Sequence, residues 1–293
     1  MNTQERPIYK RSVFWLLIAA LVLLCLVFVL VVRLSNGLRT GIFAANPGKN
    51  PETTQLTGPT LPPPEENPYG AMDFEFDENG YLTCVTGRSS LGIDVSVYQS
   101  NIDWQQVKDA GIEFVIIKCG GRGYGQAGNL YEDSSWRDKY AGAKAVGLKV
   151  GVYFFSQAID EDEAVEEAEY VLSLIQDKDI DMPIVDDWEY IDPATSDGVP
   201  RTIAMSKRML TNCTKAFCER IEEAGYQSMI YFNADQSHKQ MYLEELTDYP
   251  FWLASYTTKL NYPYKIDMWQ YTHTGTVPGI EGDVDINLYF HYD

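Results

Sequence analysis

The chain has 293 residues, with 42 acidic against 23 basic side chains, 13% aromatic residues, five cysteines and three histidines. Beyond residue 49 the balance is 41 acids to 17 bases, about −24, a field that repels nucleic acid and anionic lipid and most simply keeps a domain soluble. His238, His273 and His291 show no HExxH or paired spacing, which argues against a zinc hydrolase, and neither metal nor cofactor is expected.

Val13 to Val32 is an uncharged run of 20 residues, the length of a bilayer-crossing helix. Arg6, Lys10 and Arg11 precede it and Arg33 and Arg39 follow, so flanking charge orients it only weakly. A 12-residue tail stays inside easily, and the run exceeds the roughly 7–15 residues of a signal core. The expectation is a cytoplasmic tail (1–12), a transmembrane signal anchor (13–32), and a single-pass protein of the cell membrane with its C-terminal domain extracellular. Ser35-Asn36-Gly37 leaves cleavage of that anchor open. Residues 33–68, with Leu61-Pro62-Pro63-Pro64, read as a Pro-rich extracellular linker. A transitional segment (69–90) follows, in which Asp77-Glu78-Asn79-Gly80 turns a hairpin between Phe74–Phe76 and Tyr81–Val85. Cys84, Cys119, Cys213 and Cys218 are too sparse for a disulfide framework, and their pairing stays open.

From Leu91 short apolar runs alternate with helical patterns. Strands are expected at Leu91–Val95, Phe114–Lys118, Val150–Phe155, Pro183–Trp188 and Ser228–Phe232. Helices are expected near Trp104–Ala110, Trp136–Val146, Glu161–Ile175, Ile203–Ala224 and Met241–Leu246. Three last runs, Phe251–Tyr256, Asp267–Tyr271 and Asp283–Phe290, have no helix between them. The pattern predicts an α/β fold: eight strands in a closed, TIM-like barrel over 91–293, buried on both faces, with a helix-poor final third. Asp160 with Glu163 three residues on reads as a helix start. Asn212-Cys213-Thr214 has the form of a glycosylation sequon but falls inside a predicted helix.

In Pro183-Ile184-Val185-Asp186-Asp187-Trp188-Glu189 an apolar run ends in two carboxylates spaced i, i+2. In a strand these share one face about 7 Å apart, and one tends to keep its proton while the other ionises. That division suits cleavage of a glycosidic bond, which needs an acid at the leaving oxygen and an anion beside the anomeric carbon. Asp94, near the end of the first strand, and Asp283 and Asp285, at the last, belong with them. If the barrel closes, first and last strands are neighbours, and Asp94 meets Asp285. Asp186 faces the other way, toward the helices, where a carboxylate is costly unless paired or hydrated. Tyr153, Tyr231, Trp252 and Trp269 sit at or near strand ends as candidate sugar-stacking residues, each balanced against core packing. Gly123-Tyr124-Gly125-Gln126-Ala127-Gly128 matches GxGxxG but opens no helix, so it reads as a flexible loop over the cleft and no nucleotide is expected.

Ordered motifs from Leu91 to Phe290 resemble the glycoside hydrolase family 25 lysozymes, which are N-acetylmuramidases. They are Gly92-Ile93-Asp94-Val95-Ser96 with Gln99, Ile102-Asp103-Trp104, Gly151-Val152-Tyr153-Phe154-Phe155, Asp187-Trp188-Glu189, Ile230-Tyr231, Trp252-Leu253-Ala254-Ser255-Tyr256, Trp269-Gln270-Tyr271 and Val284-Asp285-Ile286-Asn287. The resemblance implies a modified (β/α)5(β)3 barrel and hydrolysis of the β-1,4 bond between N-acetylmuramic acid and N-acetylglucosamine in peptidoglycan glycan strands. It implies Glu189 as general acid and Asp187 as its partner, stabilising positive charge or orienting the acetamido group. Asp94 and Asp285 would be supporting carboxylates. Asp186 departs from the family pattern, which is apolar there. Together with the membrane span, this implies local wall remodelling by a tethered enzyme. A family 18 chitinase pattern would need acids at Met182 and Val185, which are absent; a catalytically silent wall-binding module or scaffold is the alternative from another class.

Overall fold

The computed structural model describes residues 61–292. In chain order its elements are strands β1 (Phe74–Phe76), β2 (Leu82–Cys84) and β3 (Arg88–Val95), helix α1 (Trp104–Asp109), strands β4 (Phe114–Arg122) and β5 (Leu130–Glu132), and helix α2 (Trp136–Ala145). Then come β6 (Lys149–Ser156), α3 (Glu161–Ile175), β7 (Ile184–Trp188), α4 (Lys207–Glu223), β8 (Ser228–Asn233) and α5 (Ala234–Lys239). A 3-10 turn (Leu243–Glu245) leads to β9 (Phe251–Ala254), β10 (Met268–Gly275) and β11 (Val284–His291).

Eight strands close in the order β3-β4-β6-β7-β8-β9-β10-β11, with β11 returning to β3 and β5 appended to β4. Neighbours in this ring are parallel except for β11, which is antiparallel to both β10 and β3. An α-helix follows each of the first five ring strands and none separates the last three. The reversal of β11 has a positional consequence. Its start lies at the rim where the parallel strands end, so Asp285 stands directly opposite Asp94.

Side-chain alternation splits the core in two. Phe114, Ile116, Val185, Met229, Trp252 and Met268 fill the barrel interior. Ile93, Val95, Ile117, Val150, Ile184, Trp188, Ile230, Leu253 and Trp269 face outward into a larger layer shared with the helices and the β1–β2 hairpin. Gly92 permits this filling, because a Cβ there would lie 2.3 Å from the Phe114 ring.

Helix ends follow local chemistry. Asp160 caps α3 by accepting from Glu163 N at 2.9 Å, and Glu161, Asp162 and Glu163 oppose the positive end of its dipole. Ser206 caps α4 through Met209 N at 3.1 Å, which places the helix start at Lys207 and not near Ile203. After α4, Gly225 takes φ 88°, a left-handed stop that a side chain would strain. Asn233 caps α5, a helix that precedes the one expected at Met241–Leu246, where only the 3-10 turn forms. Asn212 is engaged within the helix layer, donating to Glu161 at 2.7 Å. The four cysteines of the described residues are buried free thiols.

The glycine-rich stretch 123–128 is the tip of a β4–β5 hairpin. It is tied down by Arg201 N donating to Tyr124 O at 2.9 Å and Gln126 Nε2 to Val199 O at 3.0 Å.

The single-pass membrane localisation does not stand. Among the described residues no helix is long and apolar enough to cross a membrane. The longest, α4, has 17 residues, about 25 Å at ~1.5 Å each against a ~30 Å hydrocarbon core, and it carries charge along one face. The tail 1–12, the run 13–32 and most of the linker 33–68 lie outside the described residues. From Glu65 on, the segment before the barrel packs against it: Lys265 bonds Glu65 at 2.9 Å, Asn67 N donates to Pro263 O at 2.9 Å, and the Tyr69 ring lies 5.0 Å from Phe290.

Candidate active site

Four carboxylates meet at the C-terminal rim. Along β7, Val185 and Asp187 point into the barrel and Asp186 and Trp188 point out; Glu189 continues the inward set one residue past the strand. Asp94 arrives from β3 and Asp285 from β11. With Tyr153, Tyr231, Trp252, Tyr256 and Gln270 they line a polar pocket of about 140 Å³.

Asp94 is 6% exposed and Asp187 5%, whereas Glu189 stays open to solvent on one side. Asp94 Oδ2 accepts from Gln270 Nε2 and Asn287 Nδ2, both at 2.8 Å. Trp252 Nε1 in turn holds Asn287 Oδ1 at 2.9 Å. The hydroxyls of Tyr231 and Tyr256 donate to Gln270 Oε1 at 3.0 and 3.2 Å. This floor is fully bonded. Asp187 differs, since its buried Oδ1 meets no hydrogen-bond partner.

Crowding acids out of water moves their titration. Burial, then the facing Asp285, push Asp94 well above the usual carboxylate range, against the Asn287 and Gln270 bonds. Burial and then Glu189 raise Asp187 strongly, and Lys118 pulls it back. Burial also raises Glu189, again opposed by Lys118. Asp285 rises to about 6, chiefly by burial, with His273 opposing.

Tyr153, Tyr231 and Trp252 line the pocket as mostly buried floor and walls, with the Tyr231 and Trp252 rings edge to face at 4.9 Å. Trp269 is a correction. It is fully buried on the outer face of β10, its ring 5.0 Å from Phe74 and its Nε1 on Ser255 O at 2.8 Å. Alternation turns Gln270 to the cleft and Trp269 to the hairpin. Asp283 stays on the rim, its carbonyl accepting from Gln99 Nε2 at 3.2 Å.

Several site residues were not singled out from sequence. Lys118 lies in phase with the inward Phe114 and Ile116, so a charge closing that apolar run was a readable signal. Its Nζ sits 4.6 Å from the Phe155 ring centre and 5.8 Å from that of Tyr153. Gln157 and Gln236 carried no signal. They fix the backbone beneath the acid, Gln157 Nε2 on Glu189 O at 2.9 Å and Gln236 Nε2 on Trp188 O at 2.7 Å. Gln157 is itself held by Thr202 Oγ1 at 3.1 Å and, through its own N–H, by Glu167 at 3.2 Å.

The model of glycosyl hydrolases family 25 matches residues 93–280. An autolytic lysozyme of Clostridium acetobutylicum is 28% identical over 197 residues, 67% of this chain and 54% of that protein. Lysozyme M1 of Streptomyces globisporus is 26% identical over 213 residues, 68% of this chain and 67% of its own. Among solved structures, the modular autolysin LytC of Streptococcus pneumoniae, in complex with a synthetic peptidoglycan ligand, superposes with TM-score 0.59 at 23% identity, covering 74% of this chain and 50% of that one. A family 25 glycosyl hydrolase from Bacillus anthracis gives 0.55 at 22% identity, covering 70% and 90%. The chain thus spans about half the length of the autolytic lysozyme and of LytC. With the family match covering more than half the sequence and the carboxylate rim in place, the chain belongs to glycosyl hydrolase family 25.

Proposed function

We propose that this chain hydrolyses the β-1,4 bond between N-acetylmuramic acid and N-acetylglucosamine in peptidoglycan. The observation that carries the reading is the convergence of Asp94, Asp187, Glu189 and Asp285 on one open pocket, with burial raising all four. Glu189 is the general acid. It is the member of the i, i+2 pair that solvent and substrate reach, and burial raises its titration, the direction that suits an acid catalyst. It protonates the leaving glycosidic oxygen. Asp187 stands on the same face, and its unpartnered Oδ1 offers an acceptor for an acetamido N–H. Asp285, raised only to about 6 and facing Asp94 across the strand pair, supplies negative charge for the positive charge developing at the anomeric carbon. Water then completes the hydrolysis. Tyr153, Tyr231 and Trp252 shape the floor on which the sugar rests.

The test is digestion of purified peptidoglycan by the full chain, with new reducing ends identified by mass spectrometry. Muramic acid ends are expected. Glucosamine ends would place the cut at the other bond, and the absence of new ends from folded protein would leave a binding module in place of an enzyme.

A further inference from the structure

The pocket at the carboxylates is too small to hold more than part of a glycan, but it does not end there. Tyr256, 54% exposed, lines it and also two flanking cavities. One, of about 430 Å³, lies toward Tyr190, Asn233 and Gln236. The other, of about 640 Å³, is bounded on one side by Tyr256, His273 and Thr274 of the rim and on the other by Phe76, Asn79 and Tyr81 of the β1–β2 hairpin. Both volumes fall within the ~300–1,000 Å³ of small-ligand pockets. The hairpin lies ahead of the family match, which starts at residue 93, and supplies one wall of the larger cavity.

That wall is held rigid. Phe74 and Leu82 are buried, with Phe74 against Trp269. Asp77 Oδ1 closes the hairpin tip by accepting from Asn79 N and Tyr81 N, both at 2.9 Å. Gly80 takes φ 83° at the turn, and Tyr81 OH reaches Thr276 O at 3.4 Å. Phe76, in phase with Phe74 but 58% exposed, is presented at the cavity mouth. Among the described residues lining this cavity, none carries a carboxylate, ammonium or guanidinium group; they offer aromatic rings, threonine hydroxyls, one amide and one imidazole. Rings and neutral hydrogen-bonding groups fit a saccharide, whereas a stem peptide with free carboxylates and amines calls for charged partners. We propose that the β1–β2 hairpin and the overhang of β10 build a saccharide subsite that extends the cleft past Tyr256 and engages a glycan strand beyond the sugars at the cut. The proposal rests on the muramidase reading and adds where the strand runs.

The test compares kinetics on peptide-free glycan, as a tetrasaccharide and as long strands, for wild type and Phe76→Ala. The expected result is a KM raised about tenfold on long strands, the scale of one aromatic anchor. kcat is unchanged and the tetrasaccharide effect is about twofold or less. Glu75→Ala, exposed on the same strand but outside the cavity, is the control and moves neither. Thr274→Trp, which fills the cavity from the barrel side, gives the same long-strand loss should Phe76→Ala fold poorly. Titrating long strands into Glu189→Gln with and without Phe76→Ala reads binding apart from chemistry. If wild type cuts nothing but binding still depends on Phe76, the reaction is wrong and the subsite stands. If wild type cuts and neither KM nor binding responds to Phe76→Ala and Thr274→Trp, the subsite is overturned. A response seen only with peptide-bearing wall would overturn the saccharide assignment in favour of the stem peptide.

Discussion

Asp186 allows the sharpest quantitative test. It is 2% exposed on the outer face of β7, its Oδ1 meets no hydrogen-bond partner, and its titration rises from 3.8 to about 7. Burial is the main cause and the neighbouring Glu167 the next, with the Thr214 and Ser156 hydroxyls opposing. Asp186→Asn keeps the shape and removes the charge. Because the folded pKa is raised, the carboxyl is tolerated below about pH 4, where both states are protonated. As pH rises from there through about 7, the unfolded chain ionises first and stability is lost. At ~1.4 kcal/mol per pH unit, the interval from 3.8 to about 7 is worth about 4 kcal/mol. Glu167, itself raised to about 7, shares the repulsion, so the substitution should return roughly 2–4 kcal/mol at pH 8. Near pH 4.5 the same arithmetic leaves about 1 kcal/mol or less. Urea unfolding reads this as a midpoint raised by about 1 M at pH 8 and by much less at pH 4.5. Since Asp186 faces the helices, wall hydrolysis should stay within a few-fold of wild type. A gain equal at both pH values, or a loss at pH 8, would refute the reasoning.

Three further outcomes follow from the same structure. Glu189→Gln should lower wall hydrolysis by about 10²–10⁴-fold, the usual worth of a general acid, with unchanged circular dichroism; near-wild-type turnover would assign the acid elsewhere. Lys118 lowers the titration of both Asp187 and Glu189, so Lys118→Met should move the alkaline limb of the pH–rate profile upward, and an unmoved limb would remove Lys118 from the site's electrostatics. Phe74→Ala should cost about 3 kcal/mol in urea unfolding, because Phe74 is 7% exposed and fastens the hairpin to Trp269; a neutral result would show that the hairpin is held by other contacts.

The residues most legible in the sequence were those whose chemistry conflicts with their surroundings. Asp187 and Glu189 close an apolar run in phase, and strand geometry alone sends them to one face and Asp186 to the other. The facing of Asp94 and Asp285 followed from ring closure, and the reversed strand β11 realises it. Trp269 was harder to place because both faces of β10 are buried there: Met268, Trp269, Gln270 and Tyr271 are each under 9% exposed. In such a strand alternation exists but its phase cannot be read from hydropathy. Gln157 and Gln236 act through backbone carbonyls across gaps of 32 and 48 residues, a role that leaves no local pattern. Strand β5 escaped for another reason, since three residues, two half-buried around an exposed Tyr131, give too short a period to register.

Strand β7 therefore separates two acid groups, the cleft carboxylates inside and Asp186 with Glu167 outside. Outside, Arg122 Nε holds Glu167 Oε1 at 2.7 Å, and Ser156 Oγ holds its Oε2 at 2.6 Å. Glu167 Oε1 also receives the N–H of Gln157, whose side chain fixes the carbonyl of Glu189. The two groups are linked electrically as well, since Asp186 raises the titration of Asp187. An ionised Asp186 thus costs stability on one face while favouring a proton on the carboxyl of the other. Removing it should stabilise the fold and make Asp187 easier to ionise, opposite effects from one side chain. A carboxylate at a position that packing would fill with an apolar group is then consistent with a site whose charge arrangement is maintained at some expense of stability.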